Sequence, residues 1–418
     1  MHQLKKIGAI GGAVSLALCW PLAVGQIGHN VIRDGISHLN TQSVQAEIIQ
    51  YDRGYLSSEV KTRYTVTDPD LAQQLALDGL PSEYVVSSHV QHGLITLKAT
   101  SVLENMDDLP LTLNTVTQLN GNTDYTLKLD NWHQANDGAM MSMTPSELKG
   151  HVTVLGEITY DLTIPSVEVD FNSGEKFLLA GIEGTGDGRI QNGFWLGSQD
   201  ATIADMSLLD TSQSPIVAMK NAQYQFSSSL TETTERVSSQ HVIGIESLET
   251  SQGNVDDFAM DVEFGDLDQK SFEYLVNLYK DNPQLTPEHI ESAIPYVDTL
   301  FAKGFHLTMN NLSMTLAEKG QFESQLRVAV PEGTKNITQN PDAIIPALTG
   351  NVDTYVSDEL LLQFPMISEA VEEATINEFI EKTEQGYQVK AEIKGGNLVF
   401  ANGQKIPLMA LLLPVMMQ

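Results

Sequence analysis

From His151 to Pro165 the chain alternates. Val152, Val154, Ile158, Tyr160, Leu162 and Ile164 share one parity, and Thr153, Glu157, Thr159, Asp161 and Thr163 share the other. Successive side chains of a strand point to opposite faces, so this pattern describes a long strand with one apolar and one polar side. The pattern returns at Tyr125, Leu127 and Leu129, at Leu326, Val328 and Val330, and at Tyr387, Val389, Ala391 and Ile393. Asn402-Gly403 is a tight-hairpin dipeptide. Many one-sided strands joined by short turns imply antiparallel pairing. The expected fold class is therefore mainly β (α+β): a long curved antiparallel sheet with a few helical insertions, preceded by an N-terminal apolar helix.

Two strands change phase. After Pro165 the apolar set moves to Val167, Val169 and Phe171, which predicts a one-residue register slip at a bulge or bend. Asn310-Asn311 similarly separates Leu307 and Met309 from Leu312, Met314 and Leu316. Helical spacing is confined to the later half. Phe272, Leu275, Val276 and Tyr279 predict a helix near 269–281. Thr286-Pro287-Glu288 supplies an N-cap, a first-turn proline and an early acid for a helix over 286–303, with Pro295 inside it and Gly304 at its end. A third helix is expected over 367–382. With no clear linker, 48–418 reads as one elongated β-rich body.

Charge and cysteine use exclude several functions. Fifty-four acids against 23 bases give a net charge of −31, so nucleic acid is not an expected partner. The acids are dispersed, and none forms a calcium-loop motif. The one cysteine, Cys19, lies in the N-terminal apolar segment, which removes disulfides and thiolate chemistry from the body. His89 and His92 are three apart on a strand pattern and fall on opposite faces. The run Gly181-Ile-Glu-Gly-Thr-Gly-Asp-Gly188 has no following helix or Lys-Ser/Thr and reads as a loop between strands. No G-x-S-x-G or H-E-x-x-H motif occurs. No catalytic, metal or cofactor-binding residue is assigned, and no cofactor is expected. Leu408–Met417 is apolar but too short to span a bilayer, and reads as a closing element docked into the core.

Lys5 and Lys6 precede an uncharged run from Ile7 to Val24. As a helix this run is about 27 Å long, close to the hydrocarbon thickness of a bilayer. The basic flank sets an N-in orientation. Two fates stay open for residues 1–25. One is cleavage after Gly25, with Ala23 and Gly25 as the small residues of the cleavage site, leaving a soluble periplasmic protein. The other is retention as a signal anchor, with 26–47 as a helical stalk, 7–24 held in the inner membrane and the body in the periplasm. Leu18 before Cys19 argues against lipidation.

The passage Gln50-Tyr51-Asp52-Arg53-Gly54-Tyr55-Leu56-Ser57-Ser58, leading into Glu59–Val66, resembles the opening of the YdgA-like family of Gram-negative envelope proteins. Asn282–Thr286 with Gly304–Met309, and Gly395–Gly403, resemble later passages of that family. The resemblance implies an N-terminal anchor, a periplasmic body and a domain of unknown function. It brings no catalytic residues. Tyr51, Arg53, Gly54, Tyr55, Ser57 and Ser58 are the residues it marks for interaction. Arg53 and Tyr55 are read as a clamp on the chain entering a strand at Leu56, with Gly54 allowing close backbone approach.

The leading expectation is a non-enzymatic envelope scaffold or partner-binding protein. The alternative is a protein that holds or transfers lipid, or another hydrophobic ligand, through an apolar β groove. A hydrolase is the third reading. Partners left open are an envelope protein, a lipid and a second copy of the chain. The first two readings separate on whether helices cover the apolar face or leave it open.

Overall fold

The computed structural model describes residues 44–411 except 55–56, 78–80, 93–95, 105–108, 119, 136–137, 192–193, 252 and 283–284. The expected signal segment and most of the stalk lie outside the described residues. Among those described, no helix is long and apolar enough to cross a membrane. Where the sequence reads as one body, the contacts divide the chain into two compact units, Met1–Trp195 and Leu196–Gln418. The protein is mainly β, and each strand pairing given below is antiparallel.

In the first unit β1 (Val44–Arg53), β2 (Ser57–Val66), β3 (Glu83–His92), β4 (Thr96–Leu103), β5 (Leu111–Gln118) and β6 (Thr123–Leu129) pair in succession. Helix α1 (Pro69–Leu77) lies between β2 and β3 in sequence. The start of β1 at Val44 corrects the end of the expected stalk, since residues 44–47 pair with β2. The hairpin β7 (Trp132–Ala135) and β8 (Ala139–Met143) follows. Then β9 (Ser146–Val152) pairs with β6, β10 (Glu157–Phe171) with β9, and β11 (Lys176–Gln191) with β10.

The alternating segment 151–165 is two strands. Gly156 N–H donates to the Thr153 carbonyl at 3.0 Å, closing a turn at a positive φ of 84°. Val154 and Leu155 sit in that turn, and Leu155 is 79% exposed. The parity carries through because Val152 and Ile158 are cross-strand partners. Beyond Pro165 the expected slip is absent. The register against β11 keeps one phase from Glu157↔Arg189 to Asp170↔Lys176. Val167 and Val169 therefore point to the face opposite Ile158, Tyr160 and Leu162. The cause is a change of neighbour. β9 occupies one edge of β10 over Ile158–Thr163, and β8 takes the same edge over Val167–Phe171. Met143 and Met141 of β8 oppose Val167 and Val169, which gives the second half its own apolar side. Pro165, which has no N–H to donate, falls between the two neighbours.

The glycine run is also corrected, from loop to strand. It lies within β11, where Gly184, Gly186 and Gly188 oppose Leu162, Tyr160 and Ile158. A Cβ at Gly186 would come within 2.2 Å of the Tyr160 ring. Gly150 leaves similar room for Tyr125, whose hydroxyl would lie 2.7 Å from a Cβ there. Large rings thus lie over glycines on adjacent strands, covering backbone that a side chain would otherwise cover.

The second unit, from Leu196, holds most of β12 (Phe194–Leu209) and then β13 (Pro215–Thr231), β14 (Arg236–Thr250) and β15 (Gly253–Asp268), paired in succession. Helices α2 (Gln269–Asp281) and α3 (Pro287–Lys303) match expectation, with N-caps Asp268 and Thr286. Their rings Tyr274 and Tyr296 stack with centroids 3.7 Å apart. β16 (Phe305–Leu316) returns against β15, and β17 (Gly320–Val330) against β16. The phase change expected at Asn310 is present as a bulge. Both neighbours skip that residue, so Met309 and Leu312 stay on one face.

After the one-turn helix α4 (Ile344–Ala347), β18 (Thr349–Ser357) pairs with β17. The third expected helix is displaced. Residues 358–376 form α5 (Asp358–Gln363) and α6 (Pro365–Ile376), broken where Pro365 cannot donate a helix hydrogen bond. Glu378 takes a positive φ of 59° after α6. Glu381 and Lys382, expected to be helical, form β19 against β20 (Gly386–Lys394). β20 also pairs with β18 and β21 (Asn397–Phe400), and β21 with β22 (Lys405–Pro407). Gly403, at φ 84°, closes the expected Asn-Gly hairpin. Of the expected closing element, residues 412–417 lie outside those described; Leu408 is half-buried and its N–H donates to the Gly396 carbonyl at 2.9 Å, while Met409 and Leu411 are each 46% exposed.

Candidate functional site

The described part of the motif marked by the family resemblance joins the ends of β1 and β2. Gly54 N–H donates to the Ser57 carbonyl at 2.8 Å, and a Cβ on Gly54 would lie 2.7 Å from that oxygen. β2 begins at Ser57. Arg53 pairs with Ser58 in the ladder. Ser58 is 2% exposed, and its Oγ lies 3.5 Å from the Tyr51 hydroxyl. Tyr55 and the Arg53 side chain lie outside what is described, and with them the clamp read there. The structure brings Tyr51 and Ser58 together at the start of the sheet. His89 contacts Glu59 across β2 and β3. No group of three or more potential metal ligands occurs among the described residues.

The more informative surface is the apolar face of the second unit. Cross-strand partners build it row by row. One row runs Phe226, His241, Val262, Met309, Leu326 and Val352 across β13 to β18. The next contains Tyr224, Ile243, Met260 and Leu312. Such rows normally need a covering layer. Here every residue of β13 and β16 is at least partly exposed. Phe264 is 41% and Tyr224 36% exposed. The buried apolar residues of β12 to β17 are Leu196, Val237, Leu267 and Val330, each at or near a strand end.

Three of those four residues mark one end of the face, which is closed. Val237 opposes Leu267, and Val330 opposes Phe305. The helices α2 and α3 pack here on β15. Asp268, 1% exposed, caps α2 by accepting from Ser271 N at 3.1 Å and Ser271 Oγ at 2.7 Å, and pairs with Lys303 at the end of α3. Burial alone would raise its carboxyl. The hydrogen bonds from Lys303 and Ser271 outweigh burial and hold the pKa below the ordinary carboxylate value. Arg236 ties the same corner by donating to the carbonyls of Asp266, Lys303 and Gly304 at 2.6, 2.6 and 2.8 Å.

The open part carries a polar cluster. Tyr224 Oη and His241 Nδ1 lie 2.8 Å apart, and Ser239 Oγ lies 3.4 Å from His241 Nε2. The His241 ring packs 5.0 Å from Phe226 and edge-on to Phe264 at 5.9 Å. Burial among these rings holds its pKa below the ordinary histidine value, so the neutral imidazole prevails near pH 7. Burial likewise raises the Tyr224 hydroxyl. None of these residues stood out in sequence. The available signal was a histidine at an apolar parity position, with Ile243 and Ile245 following.

No curated protein and no solved structure matches the chain. A family model described as a bacterial protein of unknown function matches residues 4–409. The chain belongs to that family, DUF945.

Proposed function

We propose that this protein holds acyl chains on the open apolar face of its second unit, as an exported envelope protein that makes and breaks no bond. One observation carries the proposal: the apolar rows of β13 to β16 stay partly exposed while only their helix-packed end is buried. A face of this kind marks a docking surface for hydrocarbon or protein. Met260 and Met309 within the rows favour hydrocarbon, because unbranched thioether side chains adapt to irregular chain packing. The scaffold role expected first would place a protein over the same rows, and it ranks second for this reason.

The location rests on the basic flank, the apolar run 7–24 and the YdgA-like resemblance at 50–58. The N-in orientation and a periplasmic body follow from them. The test is detergent-free purification of the full-length protein, followed by solvent extraction and mass spectrometry. Acyl lipid at near-stoichiometric amounts, replaceable by added oleoyl lipid in a saturable manner, is expected. Lipid-free protein with no saturable uptake overturns the proposal. Intact mass of native protein tests the anchor: a chain starting at Gln26 rules it out.

A further inference from the structure

We infer that Tyr224, His241 and Ser239 form an ester-recognition site inside the acyl-chain face, so that the preferred ligand is an uncharged acyl ester. This rests on the acyl-chain reading above and adds the ligand's polar group.

Proton counting identifies the donor. A neutral imidazole has one N–H donor and one bare nitrogen acceptor. Its nitrogens face two hydroxyls, Tyr224 at 2.8 Å and Ser239 at 3.4 Å. If Tyr224 donates to Nδ1, then Nε2–H donates to Ser239, and the Ser239 proton is left over. If Ser239 donates to Nε2, then Nδ1–H donates to Tyr224, and the Tyr224 proton is left over. Either way the three groups hold three protons, use two between themselves and offer one. Tyr224 is 36% exposed and Ser239 and His241 are partly exposed, so the cluster meets the open face.

The surroundings select the acceptor. Phe226, Ile243, Val262 and Phe264 flank the cluster and carry no charge. The imidazole is neutral, and the chain's net charge of −31 opposes an anion. A carboxylate or phosphate would lose its hydration without a counter-charge. An ester carbonyl needs one donor and brings no charge. Its chain then lies on the aliphatic row Ile243 and Met260.

The test compares methyl oleate with heptadecene, a hydrocarbon of similar length without the acceptor, on the full-length protein. One hydrogen bond predicts about fivefold tighter binding of the ester. Removing one hydroxyl leaves another donor in the cluster, so the informative variant is Tyr224→Phe with Ser239→Ala and His241→Leu, for which the ratio falls to about one. A second measurement needs no variant: the carbonyl stretch of bound methyl oleate shifts to lower frequency than in hexane. Equal affinities in the native protein, or an unshifted carbonyl, overturn the ester site while heptadecene binding leaves the acyl-chain face standing. Failure of both probes to bind removes the face and the ester site together.

Discussion

The two ends of one apolar surface in the second unit behave differently. At the corner of Val237, Leu267 and Asp268, α2 and α3 pack against the end of β15 and polar groups are satisfied within the chain. A few residues along the same strands, at Ile243, Met260 and Phe264, the pattern of side chains is similar and all three stay partly exposed. An apolar parity therefore predicts which way a side chain points, and burial depends on what packs above it. The corner supplies stability, and the open rows supply a surface.

The largest effect separating the two ends is expected at the corner. Asp268→Ala removes the N-cap of α2 and leaves Lys303 without its partner. A fully buried pair would lose more, but Lys303 is 40% exposed, so a loss of about 2–3 kcal/mol is expected by denaturant titration. The same carboxyl sets a pH signature. Its pKa is lower in the fold than in the unfolded chain. Its contribution is complete above about pH 4 and is lost as pH falls through the folded value. The Asp268→Ala variant should lack that acid-side loss.

A matched pair comes next. Val237→Ala at 2% exposure should cost about 1–2 kcal/mol. Ile243→Ala removes more carbon from the open row and should cost under about 1 kcal/mol, because much of that surface already meets water. Equal losses would show that the open rows are as well packed as the corner. The smallest stability change is expected at Phe264→Ser, about 0.5 kcal/mol, together with roughly tenfold weaker uptake of oleoyl lipid. Unchanged uptake would separate the exposed rows from ligand binding.

Local signals proved most readable where one residue fixes the geometry. The cap of α3, the Asn402-Gly403 turn and the Asn310 bulge all follow from short-range chemistry. Pro165 presents the same phase change as Asn310 with a different result, because the exchange of β9 for β8 along one edge is a long-range event. The glycines of β11 looked like a loop because a reason for their small size, the Tyr160 ring over Gly186, lies on another strand. The candidate site was legible only as parity. That Tyr224, Ser239 and His241 meet depends on the β13–β14 register, which no residue in those strands announces.

The change of face along β10 has a consequence for how the first unit assembles. Its first half is apolar toward one side and its second half toward the other, within one unbroken alignment to β11. An alignment shifted by a single residue would exchange the faces of both halves at once, so the error is penalised twice and β10 and β11 favour one pairing.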